Sequence, residues 1–109
     1  PNFTHKLVCD GDFTQFTGST DNPASAAEFR WNFGDGLILP AGPKGSNVPT
    51  GNPSLTGTYQ NPGHRFPSLA GNSPQTFTVT MTAINLSGCS DSVRRSVTIL
   101  PYFNSSIFN

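Results

Sequence analysis

Apolar and polar residues alternate without a break from Phe29 to Phe33. Successive side chains of a strand point to opposite faces, so Phe29, Trp31 and Phe33 share one face, and Arg30 and Asn32 the other. Gly34-Asp35-Gly36 then stops the strand, because glycine reaches positive φ cheaply and aspartate caps turn amides. The pattern predicts a strand from Ala26 to Phe33, with the only tryptophan at the centre of a small core. A second alternation runs from Thr76 to Ile84. Phe77, Val79, Met81 and Ala83 face one way, and Thr76, Thr78, Thr80 and Thr82 the other. Asn85-Leu86-Ser87-Gly88 reads as a hairpin turn into a last strand from Val93 to Leu100, with Val97 and Ile99 inward. Arg94 and Arg95 fall on opposite faces, and Arg95 is expected in solvent at the sheet end.

The flanks are less regular. Residues 1–9 read as an edge strand that proline can open. Asp10-Gly11-Asp12 reads as a turn and residues 13–17 as a second strand, with Phe16 inward and Phe13 over an edge. Residues 18–25 read as a polar loop. Between 37 and 63, Leu37-Ile38-Leu39 suits a short strand. Pro40, Pro43, Pro49, Pro53 and Pro62 then exclude a central strand and a helix. So long a connection is uncommon without a purpose, which makes it the first place to look for a specialised surface.

One hundred and nine residues suit one domain, and 11 Gly, 10 Pro and abundant Thr, Ser and Asn favour strands and turns over helices. Only 11% of residues are charged and the formal net charge is zero, so bulk charge attracts neither nucleic acid nor anionic lipid. No apolar window is long enough to span a membrane, so no membrane insertion is expected. No signal peptide is visible, and the start at Pro1 suits the removal of a leader or an upstream domain. The segment Pro101-Tyr102-Phe103 to Asn109 echoes Pro1-Asn2-Phe3 to Cys9 at an offset of 100 residues. Each has Pro-x-Phe, three polar residues, then two apolar ones. Residues 1–100 are thus read as the domain. Residues 101–109 are read as a tail or the first strand of a following repeat.

Three segments resemble the signatures of one family. Trp31-Asn32-Phe33-Gly34-Asp35-Gly36 is similar to the W-D-F-G-D-G motif of the PKD (polycystic kidney disease) domain, with Asn32 in place of the usual aspartate. Asn61-Pro62-Gly63-His64-Arg65-Phe66 resembles its N-P-x-H-x-Y segment, and Phe77 to Asn85 its Y-x-V-x-L-x-V-x-N strand. The three stand in the family's order over roughly residues 7 to 100. The resemblance implies an all-β, immunoglobulin-like β-sandwich of about seven strands, from an extracellular or cell-surface protein, without catalytic chemistry. It makes Trp31, Phe33, Gly34, Asp35, Gly36, His64 and Phe66 the structural motif, with His64 packed near the Trp31 strand and the Gly-Asp-Gly turn.

Cys9 and Cys89 form an even pair, which suggests an oxidising compartment. A bridge between them would close a long loop and contribute about 4–5 kcal/mol in the chain-entropy model. The resemblance supports it, because PKD-like repeats of bacterial surface proteins often carry a cysteine before the second strand and one in a context like Gly88-Cys89-Ser90-Asp91. Two separate buried thiols are the alternative. Neither cysteine has a partner at metal-ligand spacing. His64, with His5 the only other histidine, shows no base partner or pocket. Asp35, with Asp10, Asp12, Asp21 and Asp91, offers oxygens for calcium, which some PKD domains bind. No dense acidic loop supplies the about six to eight ligands calcium takes, so Asp35 reads as the cap of its own turn and no cofactor is expected.

Tyr59 and Tyr102, in loops, are the candidates for an exposed binding surface, whereas the parity of Trp31 makes it core. The threonine ladder reads as a solvated sheet face rather than an ordered-water array. Asn2-Phe3-Thr4, Asn85-Leu86-Ser87 and Asn104-Ser105-Ser106 fit the glycosylation sequon, which chance also supplies in so Asn/Ser/Thr-rich a chain. The reading is a non-catalytic structural and adhesive module acting as spacer, stalk or filament unit, with neighbouring copies or domains of the same protein as partners. The alternative is an accessory module of a secreted hydrolase that binds polysaccharide or collagen.

Overall fold

The computed structural model describes residues 1–5, 8–9, 13–20, 26–67 and 74–100, and among these every regular element is a strand. The strands are β1 (Asn2–His5), β2 (Val8–Cys9), β3 (Thr14–Ser19), β4 (Ala26–Asn32), β5 (Ile38–Pro43), β6 (Leu55–Gly57), β7 (Pro62–His64), β8 (Gln75–Asn85) and β9 (Ser90–Leu100). They form one sheet in the order β1-β3-β7-β6 and another in the order β2-β9-β8-β4-β5. The two pack as the expected sandwich. Among the described residues there are nine strands rather than about seven, because the N-terminal stretch contributes to both sheets and the long connection itself carries strands.

The alternating stretches behave as their parity requires. Phe29, Trp31 and Phe33 are wholly buried, as are Val79, Met81 and Val97, and Ile99 is nearly so. Phe16 is inward and Phe13 lies at the surface, 39% exposed, under the Arg65 guanidinium 5.0 Å from its ring. Phe3, Phe16, Trp31, Phe33 and Phe66 form a continuous aromatic cluster, with Phe16 in contact with the other four rings. Offset and edge-on pairs such as these add to simple area burial.

Three expectations need correction. The first strand is not continuous. β1 pairs antiparallel with β3, whereas β2 crosses to the other sheet and runs parallel to the end of β9, so residues 1–9 serve both sheets. The proline-rich connection is not a bare loop either. β5 lies at a sheet edge, where Pro40 and Pro43 leave no ladder bond missing. Pro62 opens β7, an interior strand between β3 and β6, at the one position where its lack of an N–H is harmless.

The third correction concerns the cysteines. Cys89 is exposed and its thiol is free. Cys9 is in register with Leu100 at the far end of β9, while Cys89 stands just before Ser90 at the near end. The strand between spans roughly 33 Å at 3.3 Å per residue. A disulfide needs Cα atoms within about 7 Å, so Cys9 and Cys89 of one copy are not bonded.

Arg95, expected in solvent, is exposed, and its guanidinium also donates to the Asn2 side-chain oxygen at 2.8 Å. The threonine face lies on the solvent side of β8, where Thr82 and Ser92 hydroxyls pair across to β9 at 2.7 Å. Residues 101–109, with Tyr102, lie outside the described residues, as do Asp10, Asp12 and Asp21. In urea titrations, Phe16→Ala should cost about 3–5 kcal/mol, since it empties the centre of the cluster. Phe13→Ala should cost less than about 1 kcal/mol, because it removes only an exposed cation–π contact. Equal costs would show that the inward side of β3 had been misassigned.

Candidate functional site

The motif residues meet at the end of β4. Asn32 begins the turn, its side-chain oxygen accepting from the Gly34 amide at 3.0 Å. A carboxylate would accept the same bond, so the exchange of aspartate for asparagine leaves this turn intact. Gly34 has φ +78°, and a Cβ there would collide with the Thr78 carbonyl of β8. Glycine is thus required twice over at this position, by conformation and by space. Gly36, at φ +96°, completes the reversal.

Asp35 is the hub of the turn. Its Oδ1 accepts from the Leu37 amide at 3.1 Å, and its Oδ2 lies 2.7 Å from His64 Nε2. His64 comes from β7 in the opposite sheet, and both side chains are at least nine-tenths buried. His64 Nδ1 lies 3.0 Å from the Ser54 carbonyl, which only accepts, so Nδ1 donates there. Nε2 and the Asp35 carboxyl group share the second hydrogen bond of the ring. The ring is held between Phe33 and Phe66, with centroids 4.4 and 4.6 Å away. Sequence reading brought these residues to one place, and the structure adds the bond between them and the Ser54 acceptor. Local pattern gave no sign of Ser54.

A histidine beside an aspartate invites comparison with a catalytic dyad. Here both ring nitrogens are spent, one on a carbonyl and one on the carboxylate. No nitrogen is left to take a proton from a substrate. Each Asp35 oxygen carries one hydrogen bond of the turn and the clasp. Among the described residues no three His, Cys, Asp or Glu side chains cluster. The arrangement is a polar clasp between two sheets. Beside it, Thr14 is in register with His64 and wholly buried, and its hydroxyl has no partner.

Tyr59 does not form an exposed binding surface. Its carbonyl accepts from the Trp31 indole N–H at 2.6 Å, and its half-buried ring lies over the backbone of Gly42 in β5. A Cβ on residue 42 would occupy the place of that ring. The expected aromatic contact is therefore turned inward. The proline-rich segment does form an open cleft of about 450 Å³. Val48 and Leu55 lie beneath it, Asn47, Thr50, Asn52 and Thr56 line it, and no charged or aromatic residue does.

The PKD domain profile matches residues 2–97. The chain belongs to the PKD domain family. Among solved structures, the PKD1 domain of Vibrio anguillarum Epp is similar with a TM-score of 0.54 at 15% identity. The match covers 93% of this chain and 92% of that one. A structure described as carbohydrate-binding modules from the β-sandwich superfamily is similar with a TM-score of 0.57 at 17% identity, over 94% of this chain. The chain spans about a third of that structure's length, 34%. No curated protein matches the chain in sequence. At these identities the two structures establish a shared fold. As a PKD domain the chain is a structural or binding module, of a family whose members are generally non-catalytic and typically occur in extracellular proteins. Among the described residues, no helix is long and apolar enough to cross a membrane.

Two substitutions probe the clasp. Asp35→Asn keeps the turn cap but leaves His64 facing an amide, and should cost about 3 kcal/mol in chemical unfolding, as expected when one partner of a buried pair is lost. Thr14→Val keeps shape and removes the unpartnered hydroxyl, and should stabilise by about 1 kcal/mol in the same measurement.

Proposed function

We propose that this PKD domain is a non-catalytic structural module of an extracellular or cell-surface protein, a spacer that carries load between neighbouring copies or domains. One observation carries the reading. The chain passes Asn2 beside Arg95 and Val8 beside Ile99, so β1, β2 and β9 run in one direction and Asn2 lies roughly 17 Å along β9 from Leu100. Tension applied at Asn2 and Leu100 therefore runs along the sandwich. It meets the parallel β2–β9 pairing in shear, with its hydrogen bonds loaded together rather than unzipped singly. The buried His64–Asp35 clasp and the aromatic cluster hold the two sheets against sliding.

The fold shared with carbohydrate-binding modules and the 450 Å³ cleft support a second reading, in which the domain binds a polysaccharide or collagen. The cleft is lined by amides, hydroxyls and aliphatic groups and has no aromatic platform, which ranks this reading below the first. It requires retention of the chain on chitin, cellulose or collagen beads.

Single-molecule pulling through the two ends tests the spacer. Prolines at Val8 and Cys9 together remove every amide that β2 can offer to β9. The double variant should unfold at clearly lower force while its urea midpoint falls less than that of Phe16→Ala. An unchanged unfolding force would sink the load-bearing reading.

A further inference from the structure

The outer face of the five-stranded sheet carries two cations that the protein does not use. Register sets its side chains in rows across β4, β8 and β9. One row reads Asn32, Thr80, Arg94, and the next reads Arg30, Thr82, Ser92. Their parity is opposite to that of the buried Trp31, Met81 and Val97, so both rows face solvent. Arg30 and Arg94 are exposed. Among the described residues, neither guanidinium has a hydrogen-bond or ion-pair partner. Their Cα atoms stand two strand spacings and one two-residue step apart, roughly 12 Å by the dimensions of a sheet. Between them lie hydroxyls. Those of Thr82 and Ser92 pair at 2.7 Å, and that of Thr80 has no partner among the described residues. Among those residues one carboxylate shares the face, that of the half-buried Glu28, in the row beyond Arg30.

We propose that this face binds a carboxylated polysaccharide, a polyuronate, laid diagonally across β8 from Arg30 to Arg94. Charge complementarity selects that occupant. A guanidinium presents a planar fork of N–H groups that meets a carboxylate in two parallel bonds. Two such forks act at contact, where a net charge of zero attracts nothing at long range. A polyuronate carries a carboxylate on every sugar, so carboxylates along one chain meet both forks. The hydroxyls between the arginines donate and accept, which is what sugar hydroxyls require. Other polyanions fit less well. Membrane recognition uses clusters of about four to eight basic residues, and nucleic-acid binding uses many phosphate contacts, whereas this face has two cations. Among the described residues it also offers no aromatic ring on which a base would stack.

The inference goes beyond both readings above and can fail without them. The pulling measurement uses no ligand, and Arg30→Gln and Arg94→Gln should leave the unfolding force unchanged. Chitin and cellulose carry no carboxylate, so their retention reports on the cleft alone.

Isothermal titration with oligogalacturonate at low salt is the test. The unmutated chain should bind. Arg30→Gln and Arg94→Gln should each weaken binding about tenfold, the loss of one charge-assisted contact. Glu28→Gln should strengthen it about twofold, because it removes the one carboxylate that repels the ligand. Arg95→Gln should leave it unchanged, since Arg95 lies on the opposite side of β9 and is held by Asn2. Trp31 fluorescence reports that each variant keeps the fold. No binding by the unmutated chain would overturn the proposal, as would binding that survives Arg30→Gln and Arg94→Gln together. Equal binding of an uncharged cello-oligosaccharide would overturn it too. A loss with Arg95→Gln as large as with Arg94→Gln would replace the site by diffuse charge attraction. Tighter binding of duplex DNA or of phosphatidylserine vesicles would overturn it in favour of those partners.

Discussion

A buried indole must place its one N–H, and in this domain that requirement organises the centre of the molecule. Trp31 is wholly buried and donates to the Tyr59 carbonyl at 2.6 Å. The acceptor has to be a main-chain group on a loop that passes over the core, which fixes residues 58–61. Gln60 and Asn61 of that loop in turn bond Gly18 of β3. The Gly18 amide donates to the Gln60 carbonyl at 3.0 Å, and the Gln60 side chain donates back to the Gly18 carbonyl at 2.9 Å. The Tyr59 ring then covers Gly42 at the outer strand. A single donor thus ties β4, β3 and β5 through one short loop, and shows why the loop's tyrosine is unavailable for a surface role.

The clasp of Asp35 and His64 works at the other side of the same aromatic cluster. Apolar packing alone is tolerant of small sliding between sheets, because dispersion is weakly directional. A buried hydrogen bond from β7 to the turn after β4 is directional and costly to leave unmade. It sets the two sheets in one relative position. A buried clasp whose two ring nitrogens are both hydrogen-bonded is poor chemistry for catalysis and good chemistry for rigidity, in keeping with the proposed spacer.

Much of this was legible from sequence. Strict alternation at 29–33 and 76–84 determined the buried faces, because a strand's period of two leaves no other assignment once one face is apolar. The Gly-Asp-Gly turn was legible as a turn, and the family resemblance implied that His64 packs near it, while the Asp35–His64 bond itself came from the structure. Within 37–63 the short strand at Leu37 to Leu39 was legible, whereas its continuation to Pro43 and the strands β6 and β7 were hidden, because prolines erase the local strand signal even where edge or first-position placement makes them harmless.

What the sequence determined by itself was local and periodic: which residues face inward, where the chain turns, and that the class is all-β. Tertiary structure alone decided the long-range pairings. It gave residues 1–9 to two sheets, turned Tyr59 inward, and joined Asp35 to both His64 and, through it, Ser54. It also set Cys9 and Cys89 at opposite ends of β9. Such pairings depend on register between strands distant in sequence, and cysteine count or aromatic content carries no information about the length of strand lying between two positions.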